Sequence, residues 1–257
     1  MARLYLPLAF GPLSRHAAEA DNASHRGTPH HRRSPGVIEK GESMTTQPNR
    51  ALIVIDVQNE YVTGNLLIEY PPVQGSLANI GRAMDAARAA GIPVIVVQHD
   101  SPETAPLFAK GSDAWQLHPA VADRPSDHRI NKTMASAFAG TDLAQWLAAH
   151  AIDTLTVIGY MTHNCNASTI FHAAHAGLSV EFLNDAAGSV PYENAAGKAS
   201  AEEIHRAFSV VFHSNFAATA TTDEWISAVR EKQALKRDNV YASNQRARTA
   251  TALTHAA

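Results

Sequence analysis

The chain holds one cysteine in 257 residues and carries no excess of positive charge. A lone cysteine leaves no internal disulfide framework, and a reducing, cytoplasmic compartment is the easier expectation. No run of about 18 or more apolar residues is present, so no helix is expected to span a bilayer. The formal charge of −3 gives no basic footprint for nucleic acid and no general attraction to anionic membranes. A glycine-rich phosphate loop is also missing. The first apolar strand runs into Asp56-Val57-Gln58-Asn59, which disfavours a nucleotide- or flavin-binding module.

What the chain does have is core: 45% of its residues are hydrophobic, enough for one α/β domain. Three segments are expected. Residues 1–48 read as a disordered extension, 49–233 as the domain, and 234–257 as a loose, polar tail. The opening MARLYLPLAFGPLSRHAAEA has a faint secretory outline, but Pro7, Gly11 and Pro12 interrupt its apolar stretch. Met44 offers a second start, and His25, His30 and His31 read as solvated.

From Arg50 onward, strand and helix patterns alternate. Strands are expected over 51–55, 92–98, 128–132, 154–159, 180–184 and 210–212. Between them, Leu77, Ile80, Met84 and Ala87 share one helical face, capped at Ser76 and closed at Gly91. Further helices are read near Thr141, over 166–176 ending at Gly177, and after two capping boxes, Ser200 with Glu203 and Thr221 with Glu224. Such alternation predicts a mostly parallel, doubly wound sheet with helices on both faces, a Rossmann-like three-layer architecture.

In sheets of this kind ligands bind beyond the carboxyl ends of the strands. That rule selects Asp56 with the following Gln58, then His99 and Asp100, then Lys132, then Tyr160 to Cys165. A lone cysteine is by default a small buried hydrophobe, a strand-end aspartate a turn residue, and a lysine a solvated charge. Together they form a base, a cation and a nucleophile. Cys165 also precedes a helix, whose N-terminus is expected to favour the thiolate.

Three motifs in order, ALIVIDVQNEYV, INKTMASAFAGTDLAQWL and TLTVIGYMTHNCNASTIFHAAHAG, followed by LNDAAGS, resemble the isochorismatase-like cysteine hydrolases. That group contains nicotinamidases and N-carbamoylsarcosine amidases. The resemblance implies Asp56, Lys132 and Cys165 as the catalytic set and places the strand end after the nucleophile helix at Asp185. It also implies a non-proline cis peptide at Tyr160–Met161 and an oxyanion hole built from the Met161 and Cys165 backbone N–H groups. The expected activity is hydrolysis of a C–N bond in a small amide, carbamoyl compound or lactam. Substrate-pocket candidates are Gln58, Tyr61, His99, Phe138, Tyr160 and His163. The resemblance further implies at least a homodimer.

Nicotinamidases carry a metal-binding Asp-x-His after the second strand. Here the segment is Gln98-His99-Asp100-Ser101, so no metal and no other cofactor are expected. Two other readings stand beside this one: an isochorismatase-type vinyl ether hydrolase with no use for the cysteine, and a catalytically silent small-molecule-binding domain.

Overall fold

Six apolar segments, β-branched in most cases, pair side by side and in parallel. In a computed structural model, residues 47–254 are described. Expectations about the first 46 residues lie outside them. The strands are β1 (Arg50–Ile55), β2 (Val94–His99), β3 (His128–Lys132), β4 (Thr154–Tyr160), β5 (Ser179–Gly188) and β8 (Ala218–Ala220), ordered β3-β2-β1-β4-β5-β8. A small antiparallel hairpin, β6 (Tyr192–Asn194) with β7 (Gly197–Ala199), stands apart from the sheet.

Every residue of β1 and β4 is buried, so their near-continuous apolar runs pack on both faces. One face is covered by helices α1 (Val73–Ala89), α2 (Pro119–Ala122) and α6 (Thr222–Arg230), through Leu77, Ile80, Met84, Val121 and Trp225. The other is covered by α3 (Leu143–Ala149) and α4 (Ala167–His175), through Leu143, Leu147 and Ile170. Phe208 of α5 (Ala201–Val211) joins that side. The described residues therefore form one doubly wound α/β domain.

Both capping boxes are present, at Ser200 with Glu203 and at Thr221 with Glu224. Gly91 and Gly177 close α1 and α4 with φ of 70° and 90°. At the amino ends of the strands, Arg50 binds Glu181, which also accepts from Thr156 Oγ1 at 2.7 Å and Trp225 Nε1 at 2.9 Å. Four buried groups on β1, β4, β5 and α6 thus satisfy one another, which stops that end of the sheet from shifting register.

Three expectations are corrected. Ser76 does not cap α1; the helix starts at Val73 after Pro72, and Ser76 Oγ turns inward to Tyr160 OH at 2.7 Å. No strand forms over 210–212, because that β-branched run ends the amphipathic helix α5 and enters a π-helical turn, Phe212–Phe216. The polar tail is not irregular throughout: α7 spans Val240–Thr254. Asn239 caps it, its Oδ1 accepting from Ala242 N at 2.8 Å, and alanine-rich sequence sustains a helix without an apolar stripe.

Candidate active site

The strand order changes direction between β1 and β4. β1 leads outward to β2 and β3, and β4 leads the opposite way to β5 and β8. The crevice at such a switch point is the expected ligand site. Asp56 leaves β1 on one side of it. The Tyr160–Met161 peptide, which is cis, leaves β4 on the other and opens a π-helical turn, Thr162–Asn166, that carries Cys165 into α4.

Local backbone makes the approach possible. Gly159 has φ 104°, and a Cβ there would come within 2.1 Å of Ile55 O, so only glycine lets β4 pass so close to the end of β1. Asp56 itself adopts φ 51°, a left-handed conformation that aspartate tolerates better than branched residues. Lys132 ends β3 beside His99, its register partner on β2, and reaches over β2 toward β1.

The three side chains meet. Lys132 Nζ lies 2.7 Å from Asp56 Oδ2 and 3.3 Å from Cys165 Sγ. All three residues are buried. The third contact of the ammonium is His99 Nδ1 at 3.1 Å. An ammonium has only donors, so His99 Nδ1 accepts and the ring carries its proton on Nε2. Burial and then the Lys132 charge depress the His99 pKa, which keeps that ring neutral.

Burial lowers the pKa of Lys132, but the opposing charges of Asp56 and Cys165 outweigh it and the net shift is upward. The helix N-terminus after Cys165 favours the thiolate, but the surroundings of the sulfur oppose it. Burial pushes the thiol pKa well up, the Asp56 carboxylate adds to that, and Lys132 offsets only part of it. The Cys165 thiol thus stands beside a carboxylate placed where it could accept a proton.

The other candidates take various places. Gln58 is fully buried and braces the strand ends: its Oε1 accepts from His99 N at 2.9 Å, and its Nε2 donates to His99 O and Trp115 O. Tyr160 is fully buried, with its hydroxyl on Ser76. Phe138 stacks on His172 at 4.4 Å and shares the buried cluster of Cys165. His163 lies 3.1 Å from both Ser189 Oγ and Tyr192 OH, and burial depresses its pKa to about 4. Tyr61 packs between Phe108 and Tyr160. Asp185 accepts from Thr222 N and Oγ1, both at 2.8 Å, and so caps α6.

Sequence reading does not name Tyr192 or Phe108 individually. Phe108 touches both His99 and Tyr61, and its N–H reaches the buried Glu60 carboxylate at 3.1 Å. Neither residue carries a signal of its own; only the turn-like NAAG between β6 and β7 could have betrayed the hairpin that presents Tyr192.

A metal does not fit the residues present. The Asp100 carboxylate is taken by Trp115 Nε1, Asn131 Nδ2 and Lys110 Nζ, and His118 Nδ1 accepts from Ala120 N at the start of α2. With His99 Nδ1 held by Lys132, the three groups are committed in different directions. No cluster of three or more possible ligands occurs among the described residues. A separate cavity of about 640 Å³, lined by Asn184, His205, His213 and Arg246 among others, lies outside this crevice, and none of Asp56, Lys132 or Cys165 lines it.

The isochorismatase domain family matches residues 50–224. A crystal structure of the isochorismatase class from Burkholderia xenovorans LB400 is 68% identical, with a TM-score of 0.80, covering 80% of this chain and 100% of that one. The chain belongs to the isochorismatase family. A cysteine hydrolase from Pseudomonas syringae pv. phaseolicola is 27% identical with a TM-score of 0.65, over 72% of this chain and 93% of its own. The ureidoacrylate amidohydrolase RutB of Agrobacterium fabrum is 29% identical over 54% of this chain and 78% of its own length.

Proposed function

We propose that the protein is a cysteine-dependent hydrolase that cleaves a C–N bond of a small amide, carbamoyl compound or lactam through a thioester intermediate. The observation that carries this reading is Lys132 Nζ within 2.7 Å of Asp56 and 3.3 Å of Cys165, all shut away from water. Asp56 takes the thiol proton as Sγ attacks the carbonyl carbon. The Met161 and Cys165 N–H groups hold the oxyanion of the tetrahedral intermediate. As the C–N bond breaks, protonated Asp56 hands its proton to the departing amine. Water, deprotonated by Asp56, then attacks the thioester; the acid leaves and the proton returns to sulfur. Lys132 lowers the cost of negative charge on both partners throughout.

The names of relatives, an amidohydrolase and a cysteine hydrolase, support the same chemistry. The vinyl ether reading is favoured only by the family's eponymous reaction and leaves Cys165 without a task. A panel of small amides assayed for ammonia or amine release tests the proposal, with Cys165→Ala as control and mass spectrometry for the acyl-enzyme. Turnover that survives in the alanine variant would move the protein to the vinyl ether class.

The same proposal extends to location and assembly. A single thiol suits the cytoplasm, and no helix among the described residues is long and apolar enough to cross a membrane. Exposed Val210, Val211, Val240 and Tyr241 suit a homo-oligomer, with light scattering as the measurement.

A further inference from the structure

Tyr61 ends the short 3-10 turn after β1 and is only 1% exposed. Its ring is wedged at 5.3 Å from Phe108 and 5.4 Å from Tyr160. Among the described residues its hydroxyl has no hydrogen-bond partner. Phe108 in turn touches His99, the acceptor of Lys132, and Tyr160 leads into Met161 and the turn of Cys165, so the ring is flanked by residues from both sides of the crevice.

The interior treats comparable groups differently. Tyr160 OH is bonded to Ser76, and Trp225 Nε1 to Glu181 and Thr156. Buried polar atoms are normally paired, and an exception beside a nucleophile calls for a partner that arrives with the ligand. The Glu60 oxygens accept from Asn65 N and Phe108 N, and among the described residues no hydrogen bond joins them to the Tyr61 hydroxyl. A phenylalanine would fill the same space with no polar atom left over.

We propose that the Tyr61 hydroxyl is the specificity-determining donor of this site, hydrogen-bonding an uncharged acceptor atom of the substrate away from the scissile carbonyl. The inference rests on Cys165 as nucleophile and narrows the substrate class to amides whose acyl part carries a ring nitrogen, a second carbonyl or an ether oxygen. Burial, with the Asp56 carboxylate adding to it, raises the phenol pKa well above its ordinary value, so the hydroxyl stays a donor. The acceptor is uncharged because an anion would sit beside the Asp56 carboxylate. The nearby Lys132 ammonium already serves Asp56, His99 and Cys165.

The single cysteine makes the test direct, since alkylation of the chain reports on Cys165 alone. Phenacyl bromide and the three bromoacetylpyridine isomers share one shape and differ by a ring nitrogen. Each reagent is taken to saturation on wild type and Tyr61→Phe, followed by intact mass, and corrected for its rate with a free thiol. The expected result is that wild type half-saturates with at least one pyridyl isomer at about tenfold lower concentration than with phenacyl bromide, and that Tyr61→Phe brings this ratio close to one. The unfolding midpoint of the variant should not fall, as removal of an unpaired hydroxyl costs no contact. An equal ratio in the two proteins, no preferred isomer, or a variant slowed alike with all four reagents and less stable would overturn the proposal. Labelling without Tyr61 dependence leaves the nucleophile reading intact. Tyr61-dependent labelling in a protein that hydrolyses no amide defeats the amidase reading alone.

Discussion

Lys132 Nζ sits 2.7 Å from Asp56 Oδ2, and neither side chain has measurable exposure. Truncating one partner of such a pair strands the other charge in the interior. Lys132→Met should therefore lose about 3–5 kcal/mol of stability by urea denaturation. Adding Asp56→Asn should restore part of it, because the stranded charge is gone. A Lys132→Met protein as stable as wild type would mean that the pair is not ionised as described.

The pH dependence of Cys165 alkylation by iodoacetamide should move in opposite directions in two variants. Asp56 raises the thiol pKa and Lys132 lowers it. Asp56→Asn should shift the rise in reactivity to lower pH, and Lys132→Ala to higher pH. Identical profiles in wild type and Lys132→Ala would remove the lysine from the site.

Turnover itself should separate the roles. Cys165→Ala should abolish amide hydrolysis with the fold intact, and Cys165→Ser should be nearly inactive. Asp56→Asn should keep substrate binding while losing about 10²–10⁴-fold in rate, the usual scale of general-base catalysis. Steady-state kinetics on the best amide of the panel checks all three.

His205 predicts an acid limit to stability. It is 4% exposed, its Nδ1 lies 2.9 Å from Thr162 Oγ1 at the head of the turn that carries Cys165, and burial depresses its pKa from 6.5 to about 4. The depressed value means that the unfolded chain takes up the proton first. Stability is then full above about pH 6.5 and falls as pH drops toward 4, by about 3 kcal/mol in the limit. Melting temperatures from pH 7 to 4 should fall less steeply in His205→Gln than in wild type. Parallel slopes would contradict the assignment.

Chelator dialysis should leave turnover unchanged, and added zinc should restore nothing, because His99, Asp100 and His118 are each held by protein donors. Near-stoichiometric zinc or iron by elemental analysis, lost together with activity, would sink the expectation.

Much of the fold follows from local pattern. Continuous apolar runs such as Ala51–Ile55 can only be strands buried on both faces, and the capping boxes at Ser200 and Thr221 set helix starts within their own few residues. The pattern fails where two local codes coincide. Val210 and Val211 favour a strand by composition, but they lie exposed at the end of a helix whose buried face is Ala201, His205 and Ser209. Helix α7 has no apolar period to read, since it buries little of its surface.

For the site, sequence determined which residues could act. Strand-end rules and the order of motifs single out Asp56, Lys132 and Cys165 without coordinates. Their electrostatic states belong to the tertiary structure. Cys165 precedes a helix in sequence, which argues for a thiolate, yet burial and the Asp56 carboxylate push the thiol pKa upward. His99, a pocket candidate by sequence, is an acceptor for Lys132, and Asp100 spends its carboxylate on three donors. Desolvation and partner geometry depend on what the fold brings together across β2, β1 and β4, and no window of sequence contains that information.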